Sequence, residues 1–176
     1  VPSGFGYRAD ATVSFMCRKK EMYYPENRRK CGDIFYHNPG FPEDEYYDSD
    51  TLLLTGDDYS VPSLNLYDYK NSRGHLFVFG GSLRYPGAPL ISSLSAFHAG
   101  CGLVSLCSEK EVLDRVYNSH PSIMGVEKEN IRKVKNNAFL IGPGWNDGDR
   151  ELIEYAIESR KPLVIDADAI KLIERG

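Results

Sequence analysis

Several things are missing from this chain, and each absence removes a class of function. Basic residues are not in excess: 21 Lys and Arg stand against 25 Asp and Glu, a formal net charge of −4. That balance gives no electrostatic reason to expect a nucleic acid or an anionic membrane as partner. No apolar stretch approaches the roughly 20 residues that a spanning helix needs, and nothing at the opening reads as a signal peptide. Cysteine is scarce. The four present (Cys17, Cys31, Cys101, Cys107) show no C-x-x-C spacing, so neither a zinc site nor a disulfide framework is expected. Free thiols of this kind fit a reducing cytoplasm, the expected location. There is no G-x-x-x-x-G-K-[ST] P-loop, and no G-x-G-x-x-G fingerprint follows the first strand of the alternating region described next.

What is there is rhythm. From His75 onward, short apolar runs alternate with helical patterns. Strands are expected at His75–Phe79, Leu103–Cys107, Asn137–Ile141 and Pro162–Ile165. Helices are expected at Ala88–Ala99, Glu109–Tyr117 and Asp149–Ser159, and another begins in "AIKLIERG". Continuous apolar strands between helices imply right-handed crossovers and a parallel sheet covered on both faces. The expected fold is therefore α/β with four parallel strands, and such a sheet leaves an open edge.

The first part reads differently. "ATVSFMC" is a strand, "RKKEMYYPENRRKCG" a charged connection containing proline, and "DIFYHNPGFP" a second strand closed by a Pro-Gly turn. Two strands cannot make a core alone, so this segment is expected to be the end of a domain that starts before Val1. The acidic run "EDEYYDSD", Glu43 to Asp50, is the best linker. The expected division is residues 1–45, a linker and lead-in over 46–73, and a second domain over 74–176, itself incomplete.

Three strands of that second region end in unusual residues: Gly80-Gly81-Ser82, Gly142-Pro143-Gly144 and Asp166-Ala167-Asp168-Ala169. In open α/β sheets the crevice beyond the carboxyl ends of the strands is where ligands bind. Glycines there let backbone N–H groups approach an anion, and the following helix N-terminus adds a positive dipole. The same glycines could also serve only tight turns. Asp166 and Asp168, two apart, would face one side of an extended backbone and could hold a ligand hydroxyl, a metal-bound water or the neighbouring loop; one of them could simply cap the next helix. Trp145 could stack on a base or cover the core edge. His98 is packed or helix-terminal, and His37, His75 and His120 lack metal-ligand spacing.

The segments "GGSLRYPGAPLISSLSAFHAGCGLVSL", "LIGPGWN" and "PLVIDADAIKLI" resemble the dehydratase domain of the NAD(P)H-hydrate repair proteins, which has a ribokinase-like fold. "VPSGFG" and "RADATVSFMCRKKEMYYPENRRKCGDIFYHNPGFP" are similar to the end of the Rossmann-like α/β NAD(P)H-hydrate epimerase domain that precedes it in fused members. The resemblance implies that Ala88 and Gly144 contact the hydrated nicotinamide nucleotide. Gly80, Gly81, Ser82, Tyr85, Gly142, Asp166 and Asp168 surround that pocket, and Ser3 helps hold a potassium ion beside the epimerase substrate. It further implies ADP or ATP as co-substrate, magnesium with the nucleotide, a homo-oligomer, and hydrated NADH or NADPH as substrate. The family's catalytic aspartate falls in a G-T-G-D segment expected beyond Gly176. Departures occur at Pro89, at Cys101 and at Trp145-Asn146, where Leu-Gly is usual; they affect the shape of the pocket. Two competing readings are a ribokinase-type vitamin kinase and a nucleotide-binding remnant without activity.

Overall fold

The structure is a computed structural model that describes residues 7–42, 51–60 and 62–174. Ser3 and the linker Glu43–Asp50 lie outside the described residues. The chain divides into two compact units, Val1–Ser60 and Val61–Gly176.

In the first unit, strands β1 (Ala11–Phe15) and β2 (Asp33–His37) pair in parallel, Ala11 against Asp33 through Phe15 against His37. Helix α1 (Pro25–Cys31) makes the crossover. The sequence reading treated this segment as a charged connection. The helix was not visible because it has no apolar stripe: of its seven residues only Cys31 is buried. End effects define it instead. Pro25 occupies the first turn, Arg28, Arg29 and Lys30 face the negative end of the dipole, and Gly32 leaves the helix at φ 59°. A side chain at Gly32 would run into the backbone of Ala9 and Asp10. β1 also ends earlier than expected, because Met16 turns to φ 67°.

The second unit holds five parallel strands: β3 (His75–Phe79), β4 (Leu103–Cys107), β5 (Met124–Val126), β6 (Ala138–Ile141) and β7 (Leu163–Ile165), in the order β5-β4-β3-β6-β7. The four expected strands form and all pair in parallel. The fifth, β5, was not expected. It is three residues long, contains Gly125 and lies on an edge beside β4, so it has too few apolar positions for a periodic signal.

Alternating side chains send the strands' residues to two cores. On one face Phe77, Phe79, Phe139 and Ile141 are fully buried with Leu152, Ile153 and Ala156 of helix α4 (Arg150–Glu158) and Ala169 of helix α5 (Asp168–Glu174). The rings of Phe77 and Phe79 meet edge-on at 4.7 Å, and Phe79 lies 5.4 Å from Phe139. On the other face Val78, Val104 and Leu106 pack with Val112 and Val116 of helix α3 (Lys110–Ser119), and Leu90, Leu94 and Phe97 of helix α2 (Gly87–His98) close over them. Each fully buried aromatic or aliphatic side chain contributes roughly 1.5–3 kcal/mol, so these layers supply the main stabilisation. Among the described residues no helix is long and apolar enough to cross a membrane.

The chain order decides where the site falls. From β3 the chain moves out through β4 to β5, then returns across the sheet to β6 and continues to β7 on the other side. The order therefore reverses between β3 and β6, and their carboxyl ends form a topological switch point, where open α/β sheets place ligands. The residues following β3 and β6 are Gly80-Gly81-Ser82 and Gly142-Pro143-Gly144.

Candidate functional site

Three carboxyl-end loops meet at the switch point, and their glycines allow it. Gly81, at φ 84°, donates its N–H to the Pro143 carbonyl at 2.9 Å. A side chain on Gly80 would lie 2.6 Å from that same carbonyl oxygen. Gly142, at φ 111°, donates to the Phe79 carbonyl at 2.9 Å, and a side chain on it would strike the backbone of Asp166. Gly144, at φ 63°, sits so close to the start of α2 that a methyl group there would come 2.7 Å from the Tyr85 carbonyl oxygen and 2.8 Å from Ala88 Cβ. These glycines thus let the loops lie against one another, in addition to any room they leave for a ligand.

Two side chains fasten the loop after β6. Ser82 donates from Oγ to the Gly144 carbonyl at 2.9 Å, while its own Oγ accepts the Tyr85 N–H at 3.3 Å. From the opposite side, Asp168 Oδ2 accepts the Asn146 N–H at 2.9 Å and Oδ1 accepts from Lys171 at 3.0 Å. Lys171 and the Asn146 N–H together hold the Asp168 carboxyl below its ordinary pKa.

The expectation that Asp166 and Asp168 project together from an extended backbone is overturned. The chain turns left-handed at Ala167, φ 45°, and Asp168 is already the first residue of α5. Asp166 is exposed, and its carbonyl accepts the Ala169 N–H at 3.1 Å. Trp145 is 8% exposed and packs in the hydrophobic core, and it also lines a cavity beside these loops. His98 is the last residue of α2.

A cavity of about 280 Å³ opens beside these loops. Gly81 and Ser82 line it on one side, Trp145 to Asp149 on another, and Ser108, Glu109 and Lys128 complete it. Tyr85, Ala88 and Gly144 meet next to it, whereas Gly80, Gly142 and Asp166 make up the packed junction of the loops. Lys128 bridges Asp149 and Glu151 at 2.7 Å each, and their hydrogen bonds hold its ammonium above the ordinary lysine pKa. Cys107 forms part of the floor, 2% exposed, its thiol pushed up to about 12 by burial first and by Asp149 and Glu129 next. A thiol held protonated is no nucleophile. Among the described residues no cluster of His, Cys, Asp and Glu could hold a metal ion.

Ser108, Glu109, Lys128 and Asp147 were not among the site residues expected from the sequence. Ser108 and Glu109 follow β4 directly and were recoverable from the rule that located the other loops. Lys128 follows β5, the strand that gave no signal.

A larger cavity, about 670 Å³, lies at the amino ends of β3 and β6, lined by Leu64, Leu76, Ala96 and Ala138 with His75 and Arg73. Volume does not make it the better candidate: it lies at the wrong edge of the sheet, and both ring nitrogens of His75 are already bonded, to Lys135 O at 2.7 Å and Ser105 Oγ at 2.9 Å.

Known proteins resemble this chain in sequence and in fold. A bifunctional NAD(P)H-hydrate repair enzyme of Coxiella burnetii is 27% identical over 181 residues, 97% of this chain and 37% of its own length. An ADP-dependent (S)-NAD(P)H-hydrate dehydratase of Lactococcus lactis is 33% identical over 116 residues, 61% of this chain and 42% of its own. The chain thus spans well under half the length of these curated relatives. A ribokinase-like superfamily protein of Enterococcus faecalis shares the fold, with a TM-score of 0.59 at 23% identity over 66% of this chain and 44% of that one. The NAD(P)H-hydrate dehydratase family model matches residues 76–176, from the second residue of β3 through all three loops of the switch point. This chain belongs to the NAD(P)H-hydrate dehydratase family.

Proposed function

We propose that this chain is part of a nicotinamide nucleotide repair enzyme that dehydrates hydrated NADH or NADPH at the expense of ADP or ATP. The observation that carries the reading is the meeting of the Gly80-Gly81-Ser82 and Gly142-Pro143-Gly144 loops at the switch point, within the residues matched by the family. The names of the two relatives support it. In this reading Ala88 and Gly144 meet the hydrated ring, with Gly80, Gly81, Ser82, Tyr85, Gly142, Asp166 and Asp168 around them.

The chemistry suits a kinase-like fold. The hydroxyl that water added to the ring is a poor leaving group. Its oxygen would attack the terminal phosphoryl group of the nucleotide and give up its proton, the bond from that phosphorus to the bridging oxygen would break, and the nucleotide would depart one phosphate shorter; magnesium bound with the nucleotide would offset the charge. The ring C–O bond then breaks, phosphate leaves, the neighbouring carbon loses a proton and the 5,6 double bond re-forms. No residue of this chain is assigned as the base.

The finer parts of the reading are that residues 1–45 end an epimerase domain, 46–73 are linker and lead-in, and 74–176 begin the dehydratase domain. An epimerase that interconverts the two hydrate epimers would let one stereospecific dehydratase clear both. Ser3 would take part in its potassium site, and the whole would act as a cytoplasmic homo-oligomer. Coverage of nearly the whole chain by the bifunctional relative supports the domain order alone.

The test uses the full-length protein carrying this sequence, with hydrated NADH as substrate. Near-ultraviolet absorbance should return only when ADP or ATP is supplied with magnesium. Recovery without nucleotide, or phosphorylation of a vitamin alcohol with no recovery, overturns the proposal.

A further inference from the structure

Ser82 stands in the middle of the loop set that the dehydratase reading assigns to the substrate, yet its hydroxyl faces protein. Its proton goes to the Gly144 carbonyl at 2.9 Å, and its oxygen accepts the Tyr85 N–H at 3.3 Å. The residue is 8% exposed. With its donor and one acceptor position occupied and little surface open, the hydroxyl is committed to joining the loop after β3 to the loop after β6. The two residues that it spaces are the ones that matter most in the proposed site. Gly144 lies against Tyr85 and Ala88, so any shift of its carbonyl disturbs the packing of Gly144 on Ala88.

The loop after β6 has no strand ladder to hold it. Beyond Gly142 its internal bonds are Trp145 N–H to Gly142 O and Gly148 N–H to Trp145 O, both 3.2 Å, and Asn146 Nδ2 to Asp147 Oδ2 at 2.9 Å, while the Gly81 N–H holds Pro143 O at 2.9 Å from the loop after β3. Asp168 grips it at Asn146, and Ser82 grips it at Gly144, two residues away on the opposite side. We infer that Ser82 is a positioning residue: with Asp168 it brackets the Gly-Pro-Gly-Trp-Asn loop and fixes the packing of Gly144 on Ala88, the surface against which the hydrated nicotinamide ring is placed in the proposed function. The inference rests on the dehydratase reading for the identity of the ligand, and on the geometry alone for the bracket.

Removing the hydroxyl leaves the Gly144 carbonyl without this partner, which costs about a factor of ten in the opening equilibrium of a loop held by few bonds. Three variants of the full-length protein test this: Ser82→Ala, Ser82→Thr, which keeps a hydroxyl, and Asp168→Asn, which weakens the other grip. Amide hydrogen exchange is the readout that does not depend on activity. Ser82→Ala should speed exchange at Trp145 and Asn146 about tenfold while β3, β4 and β6 keep their protection. Ser82→Thr should stay within about twofold of the parent at the same amides. In turnover, Ser82→Ala should raise KM for hydrated NADH about three- to tenfold, leaving kcat and the KM for nucleotide within about twofold.

Unchanged exchange at Trp145 and Asn146 in Ser82→Ala overturns the bracket, as does acceleration spread evenly over β3, β4 and β6. Ser82→Thr behaving like Ser82→Ala also overturns it, since volume rather than the hydroxyl would then be at work. Local loosening with all kinetic constants unmoved overturns the positioning role. A parent protein without dehydratase turnover counts against the proposed function instead, and the exchange pattern still decides the bracket.

Discussion

The Asn146 N–H points at the Asp168 carboxylate from 2.9 Å, tying the turn after β6 to the first turn of α5. Lys171 and the Asn146 amide lower the pKa of Asp168, so the folded state holds the ionised form more firmly than the unfolded chain does. A depressed folded pKa adds stability above the unfolded value, near pH 3.9, and that stability is lost as pH falls through the folded pKa. Asp168→Asn should therefore be less stable than the parent at neutral pH, with the gap narrowing below about pH 3.9. Thermal melts across pH 2.5–7 read this directly; a gap that stays constant with pH contradicts it.

Gly144 and Ala167 should respond in opposite directions. Gly144→Ala places a methyl against the Tyr85 carbonyl and Ala88 at φ 63°, and should destabilise by about 1–3 kcal/mol whether or not substrate is present. Its effect belongs to loop packing before it belongs to ligand affinity. Ala167 already carries a side chain at φ 45°, a conformation that costs a non-glycine residue about 1–2 kcal/mol. Ala167→Gly relieves this, less the entropy glycine adds to the unfolded chain, and should gain about 0.5–1 kcal/mol. Denaturant midpoints measured side by side give both signs.

Thiol reactivity should divide the cysteines in pairs. Cys31 and Cys107 are buried, and Cys107 has its thiol raised to about 12, whereas Cys17 and Cys101 are partly exposed. Iodoacetamide at pH 8 should label Cys17 and Cys101 in the native protein and reach Cys31 and Cys107 only after denaturation. Mass spectrometry of the peptides distinguishes the four. Rapid native labelling of Cys107 would mean that the floor of the smaller cavity is open.

His75 carries a second pH signature. Burial lowers its pKa, against the opposing effect of the hydrogen bond to Lys135 O. Its ring bridges the Lys135 carbonyl, in the segment before β6, and Ser105 Oγ in the middle of β4. Because the folded pKa lies below the unfolded one, the contribution is complete above about pH 6.5 and is lost as pH falls through the folded value. His75→Gln should flatten the decline in stability between pH 7 and pH 5. NMR titration of the ring reports the pKa itself, and a value above that of free histidine refutes the assignment.

Sequence by itself determined the elements with strong periodicity and the residues with special backbone demands. The four apolar runs do form parallel strands, though the last, Leu163–Ile165, lies on the sheet edge with Val164 exposed, and Gly81, Gly142 and Gly144 do take positive φ at strand ends. The motifs at those ends were specific enough to indicate the family before any geometry. Helix α1 and strand β5 were not legible, for the same reason: each is short and lacks a buried face, so only end effects or an edge partner define it.

Tertiary structure alone decided what the side chains of these loops touch. Strand order put β3 beside β6, residues 75–79 beside 138–141, and no local pattern encodes that neighbourhood. The same packing turned Ala167 left-handed, swung Asp168 onto Asn146, and set the Ser82 hydroxyl on Gly144 instead of in open space. Local sequence limits which backbone angles a residue can adopt, but a hydrogen bond spanning 62 residues forms only when the whole sheet has brought its two ends together.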